Sequence, residues 1–318
     1  MTPYGFDPEF YHCLLDEQPH YLVPERLLLS DEPNGELIVN PNAWFSWLGP
    51  LPPDKAARVA VCERLHPGDW MIWVDDPATG IVWPFWLGVE FASHFHGLTP
   101  GSPLDKELPS HMRWVLWQAG VLVRPNYLAH RRREWLDRVS QYASAFQRGF
   151  VTVPSLIHPF HIGALRRYYR ARTRVGAFPL GEQLSQSYIS HNEEVAQFFH
   201  QQLALAVSDI ARTVVEPTWA SAISYQSGSQ VQPYTEPEQC EYSVTLCYDA
   251  TPEPEAQSPW PEQLDTPDGR FQVWQHIGDS LMYRGRYLPH SREQLPHGHT
   301  ASSLLFHYGE EVAQARAN

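Results

Sequence analysis

The second half of the chain narrows the fold more than any other stretch. Five short apolar runs follow one another there: Ala222–Tyr225, Glu241–Tyr248, Phe271–Gln275, Ser280–Tyr283 and Ser302–Tyr308. Each is bounded by Gly, Pro or Asp. Runs of this length between turn residues predict strands. Two helices are predicted ahead of them. Residues 154–174 carry Leu165, Tyr168 and Tyr169 as core positions, with Gly176 as a stop. A second helix places Val195, Phe198, Phe199, Leu203, Val207 and Ile210 on one face, and Ser190 with Glu193 reads as its capping box. Helices followed by turn-separated strands fit a β-sandwich or jelly roll buttressed by helices. Between two of the strands, Thr251–Pro261 is rich in Pro and Glu and reads as a rigid exposed loop.

Residues 1–150 read as an accessory α+β region. The segment from Leu65 to Trp70 is turn chemistry. Trp70–Val74 and Ile81–Leu87 flank the Asp75–Gly80 loop as a hairpin, with Pro84 confining the second strand to an edge or a bulge. Trp114–Trp117 and Gly120–Val123 look like short buried segments. Trp135, Val139, Tyr142, Ala143 and Phe146 recur at helical spacing, and Gly149 stops that helix. The chain thus divides at about residue 150, with 151–318 as the second domain.

Composition excludes several classes. A formal charge of −13 argues against a nucleic-acid surface, which needs clustered Lys and Arg, yet gives favourable steering to a cationic peptide. Cys13, Cys62, Cys240 and Cys247 form no C-x-x-C motif. Cys240 and Cys247 would face opposite sides of one strand, so they predict no local disulfide. No segment reads as a signal peptide or membrane span, so a reduced cytoplasmic protein without membrane partners is expected. Asp75-Asp76 and Glu310-Glu311 read as surface charges. His94 and His96 have strand-ligand spacing but read as loop or core residues.

A set of short pieces points further. They are His158–His161, Leu165–Tyr169, His191–Glu193, Pro217, Tyr225–Gly228, Cys240-Glu241, Pro259–Pro261, Gly278-Asp279, Tyr283–Gly285, His290–Arg292 and His307-Tyr308. In order and spacing these residues, over about 154–309, resemble the 2-oxoglutarate/Fe(II) oxygenase superfamily, in particular a prolyl-hydroxylase-like bacterial group. That resemblance implies a double-stranded β-helix, a cupin-like jelly roll with its site in the open mouth. It also implies Fe(II) and 2-oxoglutarate as cofactors and oxidation of a C–H bond in a peptide or amino-acid-derived metabolite. The metal needs two His and one carboxylate on one face.

Carried onto this chain, the resemblance puts Tyr234 at the first-His place, Glu236 at the carboxylate place and His290 at the second-His place. Tyr234-Thr235-Glu236 thus replaces His-x-Asp, Pro237 stands where relatives carry Arg, and Thr300 where they carry a basic residue. Neutral Tyr, with a reference pKa of ~10, is a poor Fe(II) ligand. Arg292, then Arg284, are the candidates to hold the far carboxylate of 2-oxoglutarate; for Arg292 the plainer role is a surface ion pair with Glu293. Three readings stay open. Glu236 and His290 hold iron weakly, completed by water or Tyr234. Alternatively, His290, His297 and His299 form a Cu or Zn site, although His297 and His299 read more simply as a solvated loop. Or the pocket is metal-free and belongs to a diverged non-oxygenase that binds a small molecule or peptide, with Tyr234, Glu236 and His290 as acid–base groups.

Overall fold

Met71–Asp75 and Val82–Trp86 form an antiparallel hairpin around the Asp75–Gly80 loop, as their apolar runs predict. Pro84 has no N–H to donate, and its strand lies at the sheet edge. These strands belong to a computed structural model that describes residues 10–18, 22–31, 33–59, 70–95, 97–104, 107–181 and 186–310. The Leu65–Asp69 part of the predicted turn and His96 lie outside the described residues, as do Cys62 and Glu311.

Two units make up the chain, residues 1–136 with 157–177 and residues 137–156 with 178–318, where the sequence reading has one boundary at 150. The first unit contains β1 (Ile38–Val39), β2 (Ala43–Phe45), α1 (Pro53–Val59), β3 (Met71–Asp75), β4 (Val82–Trp86), α2 (Val89–Ala92), α3 (Ser110–Gln118) and β5 (Leu122–Val123). The sheets are β2-β3-β4 and β1-β5. The helix α4 (Tyr127–Phe146) runs from the first unit into the second, and α5 (Pro159–Arg174) returns to the first. Asp75 and Asp76 are not surface charges. Both are buried; Asp75 pairs with Lys55, and Asp76 meets Arg131 at 2.8 Å and the Thr79 hydroxyl at 2.8 Å.

The second unit holds β6 (Phe150–Pro154), β7 (Ser187–His191), α6 (Glu194–Ala211), β8 (Val215–Tyr225), β9 (Val231–Tyr234), β10 (Tyr242–Thr251), β11 (Glu262–Thr266), β12 (Gly269–Val273), β13 (Asp279–Tyr283), β14 (His290–Arg292) and β15 (Thr300–Glu310). One sheet has the order β6-β13-β10-β15-β8-β7 and the other β12-β11-β14-β9. Every pairing in both is antiparallel. From β8 to β15 the chain passes back and forth between the two sheets. Their inner faces share a core: Leu264 and Val273 meet Phe150, Leu281 and Tyr283, while Val231 meets Ile223, Tyr225, Ala301 and Leu305. The helix α6 packs on β8 and β15 with the predicted face inward.

Two helix starts differ from expectation. Residues 150–154 form β6, so α5 begins only at Pro159, where His158 Nδ1 accepts from the Phe160 N–H at 3.1 Å. Ser190 lies in β7, and the cap of α6 is Glu193, whose carboxylate accepts from the N–H groups of Val195 and Ala196. The Thr251–Pro261 loop is not exposed throughout, because Ser258 and Trp260 are buried. Cys13, Cys240 and Cys247 are free thiols. Among the described residues, no helix is long and apolar enough to cross a membrane.

Candidate functional site

Tyr234 ends β9 and His290 opens β14, and the two are direct partners in the antiparallel register. Glu236 follows two residues after Tyr234, its backbone N–H held by the Gly285 carbonyl at 2.9 Å. The Tyr234 hydroxyl donates to Glu236 Oε1 at 3.0 Å, and His290 Nε2 meets the same oxygen at 3.3 Å. The Tyr234 and His290 rings are 4.3 Å apart, and the Tyr283 ring is 4.8 Å from His290. The three residues picked from sequence therefore converge on one carboxylate oxygen. Tyr234 keeps 42% of its surface exposed, so it is the part of the set that solvent meets first.

The hydrogen bonds fix the protons. His290 Nδ1 lies 3.0 Å from the Leu288 carbonyl, which only accepts, so Nδ1 carries hydrogen. Nε2 must also carry one to bond a carboxylate. Burial opposes charge on His290, but the Glu236 hydrogen bond and the Glu262 charge outweigh it and raise its pKa. Burial likewise opposes charge on Glu236, and the contacts with His290, His307 and Tyr234 overcome it, holding the carboxyl below its ordinary value. Partial burial, with Tyr283 and Glu236 alongside, pushes the Tyr234 phenol upward, so it stays a neutral donor.

Two neighbouring groups, His307 and Glu262, have no role assigned from sequence; Arg292, the candidate for a carboxylate, lies with Glu262. His307 on β15 faces its cross-strand partner Ser243, with Nδ1 2.9 Å from the hydroxyl; burial lowers its pKa. Glu262 on β11 binds Arg292 Nε at 2.8 Å, and both side chains are buried. Arg292 also donates from Nη1 to the Trp260 carbonyl at 3.1 Å and lies over the Trp260 ring at 4.6 Å. Arg292 is thus an interior residue and not the surface partner of Glu293. Arg284 is exposed, with its guanidinium carbon 5.9 Å from the Phe146 ring. His297 is exposed, and His299 turns its Nδ1 to the His297 carbonyl at 3.2 Å, in a loop as the simpler reading has it. Alternation along β11 could have found Glu262, since it shares a face with the core residue Leu264, but that strand carries too few apolar residues to stand out.

Gly285 allows the close approach in the site. A Cβ there would lie 2.2 Å from Ser243 Oγ and 2.8 Å from Glu236 Cγ. Gly285→Ala is expected to destabilise the protein by about 1–3 kcal/mol, the range for overpacking. It should also separate Ser243 from His307, which thermal unfolding and the histidine ring NMR signals would register.

No protein-family model and no curated protein matches the chain. Solved structures are similar to about half of it. A Pseudomonas putida prolyl-4-hydroxylase is 16% identical, covers 55% of this chain and 100% of its own, and has a TM-score of 0.45. The non-heme alpha-ketoglutarate-dependent epimerase SnoN from nogalamycin biosynthesis is 11% identical over 55% and 81%, with a TM-score of 0.44. HygX from Streptomyces hygroscopicus, solved with nickel and 2-oxoglutarate, is 11% identical over 54% and 86%, with a TM-score of 0.43. At these values the chemistry of those proteins does not transfer to this chain.

The residues present do not fit Fe(II) with 2-oxoglutarate. A facial set needs two imidazoles and a carboxylate. Here the third donor is a phenol held protonated by its surroundings. The buried guanidinium that a dicarboxylate would need is already bound to Glu262. Among the described residues, no group of three His, Cys, Asp or Glu side chains is placed to hold a metal ion.

Proposed function

We propose that the second unit is a double-stranded β-helix of the oxygenase kind whose mouth works as a metal-independent polar site, binding a small molecule or peptide and exchanging protons with it. The passage of successive strands between two antiparallel sheets supports the architecture. The observation that carries the chemistry is the double hydrogen bond to Glu236 Oε1 from Tyr234 and His290. A ligand N–H or O–H that displaces the Tyr234 hydroxyl meets an ionised carboxylate backed by a histidine. The freed phenol can then donate to an acceptor on the ligand. The charge of −13 favours a ligand with cationic groups. Free cysteines agree with a reducing, cytoplasmic setting.

Anaerobic Fe(II) titration with and without 2-oxoglutarate tests this reading. The wild-type protein is expected to take up no stoichiometric iron. Tyr234→His, which restores a second imidazole beside Glu236 and His290, is expected to bind Fe(II) at least ~10-fold more tightly. One tightly held Fe(II) per wild-type chain, with turnover of 2-oxoglutarate, would overturn the proposal in favour of an iron oxygenase with a tyrosine in its metal site.

A further inference from the structure

We propose that Glu262 determines the ligand specificity of the pocket: it holds Arg292 for itself, so the interior rejects dicarboxylates, and removing its charge turns the same place into an anion subsite. The register pairs Gln263 with Ser291 and Leu264 with His290, which sets Glu262 opposite Arg292. Alternate residues share a face. Leu264 belongs to the inter-sheet core, so Glu262 points inward with it, and Arg292 points inward with His290. Glu262 is 5% and Arg292 6% exposed. The guanidinium gives Nε to Glu262 and Nη1 to the Trp260 carbonyl, and its face rests on the Trp260 ring.

One buried cation is thereby matched by one buried anion. The groups whose charge bears on Arg292 are Glu262, Tyr225 and Cys247, and none adds a positive charge. A second carboxylate entering from solvent would be repelled by Glu262 and would have to displace it. Glu262 is tethered opposite its partner, so its effective concentration exceeds that of any free dicarboxylate. Glutamine at 262 keeps the shape and an oxygen to accept from Nε. It leaves the guanidinium uncompensated, with N–H groups to spare for a bidentate anion.

With EDTA present, any carboxylate binding reports on Arg292 and Glu262 and not on a metal ion. Calorimetric titration with 2-oxoglutarate and with succinate is expected to show no binding to the wild-type protein. Glu262→Gln should bind both at least ~10-fold more tightly and melt at a higher temperature in their presence. The double variant Glu262→Gln/Arg292→Gln should bind neither. If Glu262→Gln is unfolded alone, refolding on addition of succinate supports the proposal and failure to refold counts against it. Metal-free binding by the wild-type protein as tight as by Glu262→Gln overturns it.

Discussion

Arg292→Leu is expected to lower the unfolding free energy by about 3–5 kcal/mol, the cost of breaking a buried ion pair from one side. The cost comes from the partner left behind. Glu262 would stay buried between two sheets with the Arg292 Nε donor gone, its charge felt by Tyr225 and Tyr283. The Trp260 carbonyl would lose its donor, and the indole its stacked cation. Removing both charges tells the two effects apart. Glu262→Leu/Arg292→Leu should recover most of the loss, because two apolar side chains pack where two desolvated charges stood. Arg270→Ala serves as a control. Its bidentate pair with Asp265 is solvent-exposed, so urea denaturation followed by circular dichroism should show no change. Equal losses in the single and double variants at the Glu262–Arg292 site would mean that packing, and not the unpaired charge, sets the cost.

The pair also marks the limit of what the sequence discloses. Strands with dense apolar content were legible: β3, β4, β10, β13 and β15 coincide with predicted runs, and β8 does so over its last four residues. The strands β9, β11 and β14, read as Val-Gln-Pro-Tyr, Glu-Gln-Leu-Asp-Thr and His-Ser-Arg, carry few apolar residues, and β14 carries none. They form because their neighbours supply the ladder, not because their own pattern demands it. Those weakly patterned strands build the sheet that holds the site. Tyr234, Glu236 and His290 could be picked from motif order, but their meeting on one oxygen depends on the register of β9 with β14. Glu262 gave no signal because its partner lies 30 residues away on a strand with no apolar alternation. A local rule pairs Arg292 with Glu293 for the same reason, although neighbours in a strand face opposite sides.

Stability is expected to fall steeply as pH drops from about 6.5 to 4, and each unit has its own histidine responsible. His158 belongs to the first unit and His200 to the second, and burial pushes each down to about 4. Burial is the main cause in both, and at His158 the capping hydrogen bond adds to it. His158 Nδ1 already accepts from the Phe160 N–H at the start of α5, while Nε2 lies 3.0 Å from the Gln118 carbonyl and donates to it. A proton on Nδ1 would break the cap. His200 donates from Nε2 to the His307 carbonyl at 2.7 Å and lies flat against Phe306. The unfolded chain protonates both near 6.5, so a depressed folded value gives stability that is complete above 6.5 and is lost as pH falls towards 4. A displacement of that size corresponds to about 3 kcal/mol for each histidine. His161 and His307 are lowered by burial too and act in the same direction. His290 acts oppositely. Its raised value gives stability present below 6.5 and lost as pH rises through its folded pKa, so it cannot cancel the acid loss and instead tilts the alkaline side. Urea denaturation at pH 7, 5.5 and 4.5 should show the decline. His158→Asn retains a capping oxygen and His200→Gln retains a donor, so each should flatten the pH dependence of its own unit and leave that of the other. A profile flat from pH 7 to 4.5 would mean that these buried imidazoles take up protons in the folded state, with α5 surviving the loss of its cap.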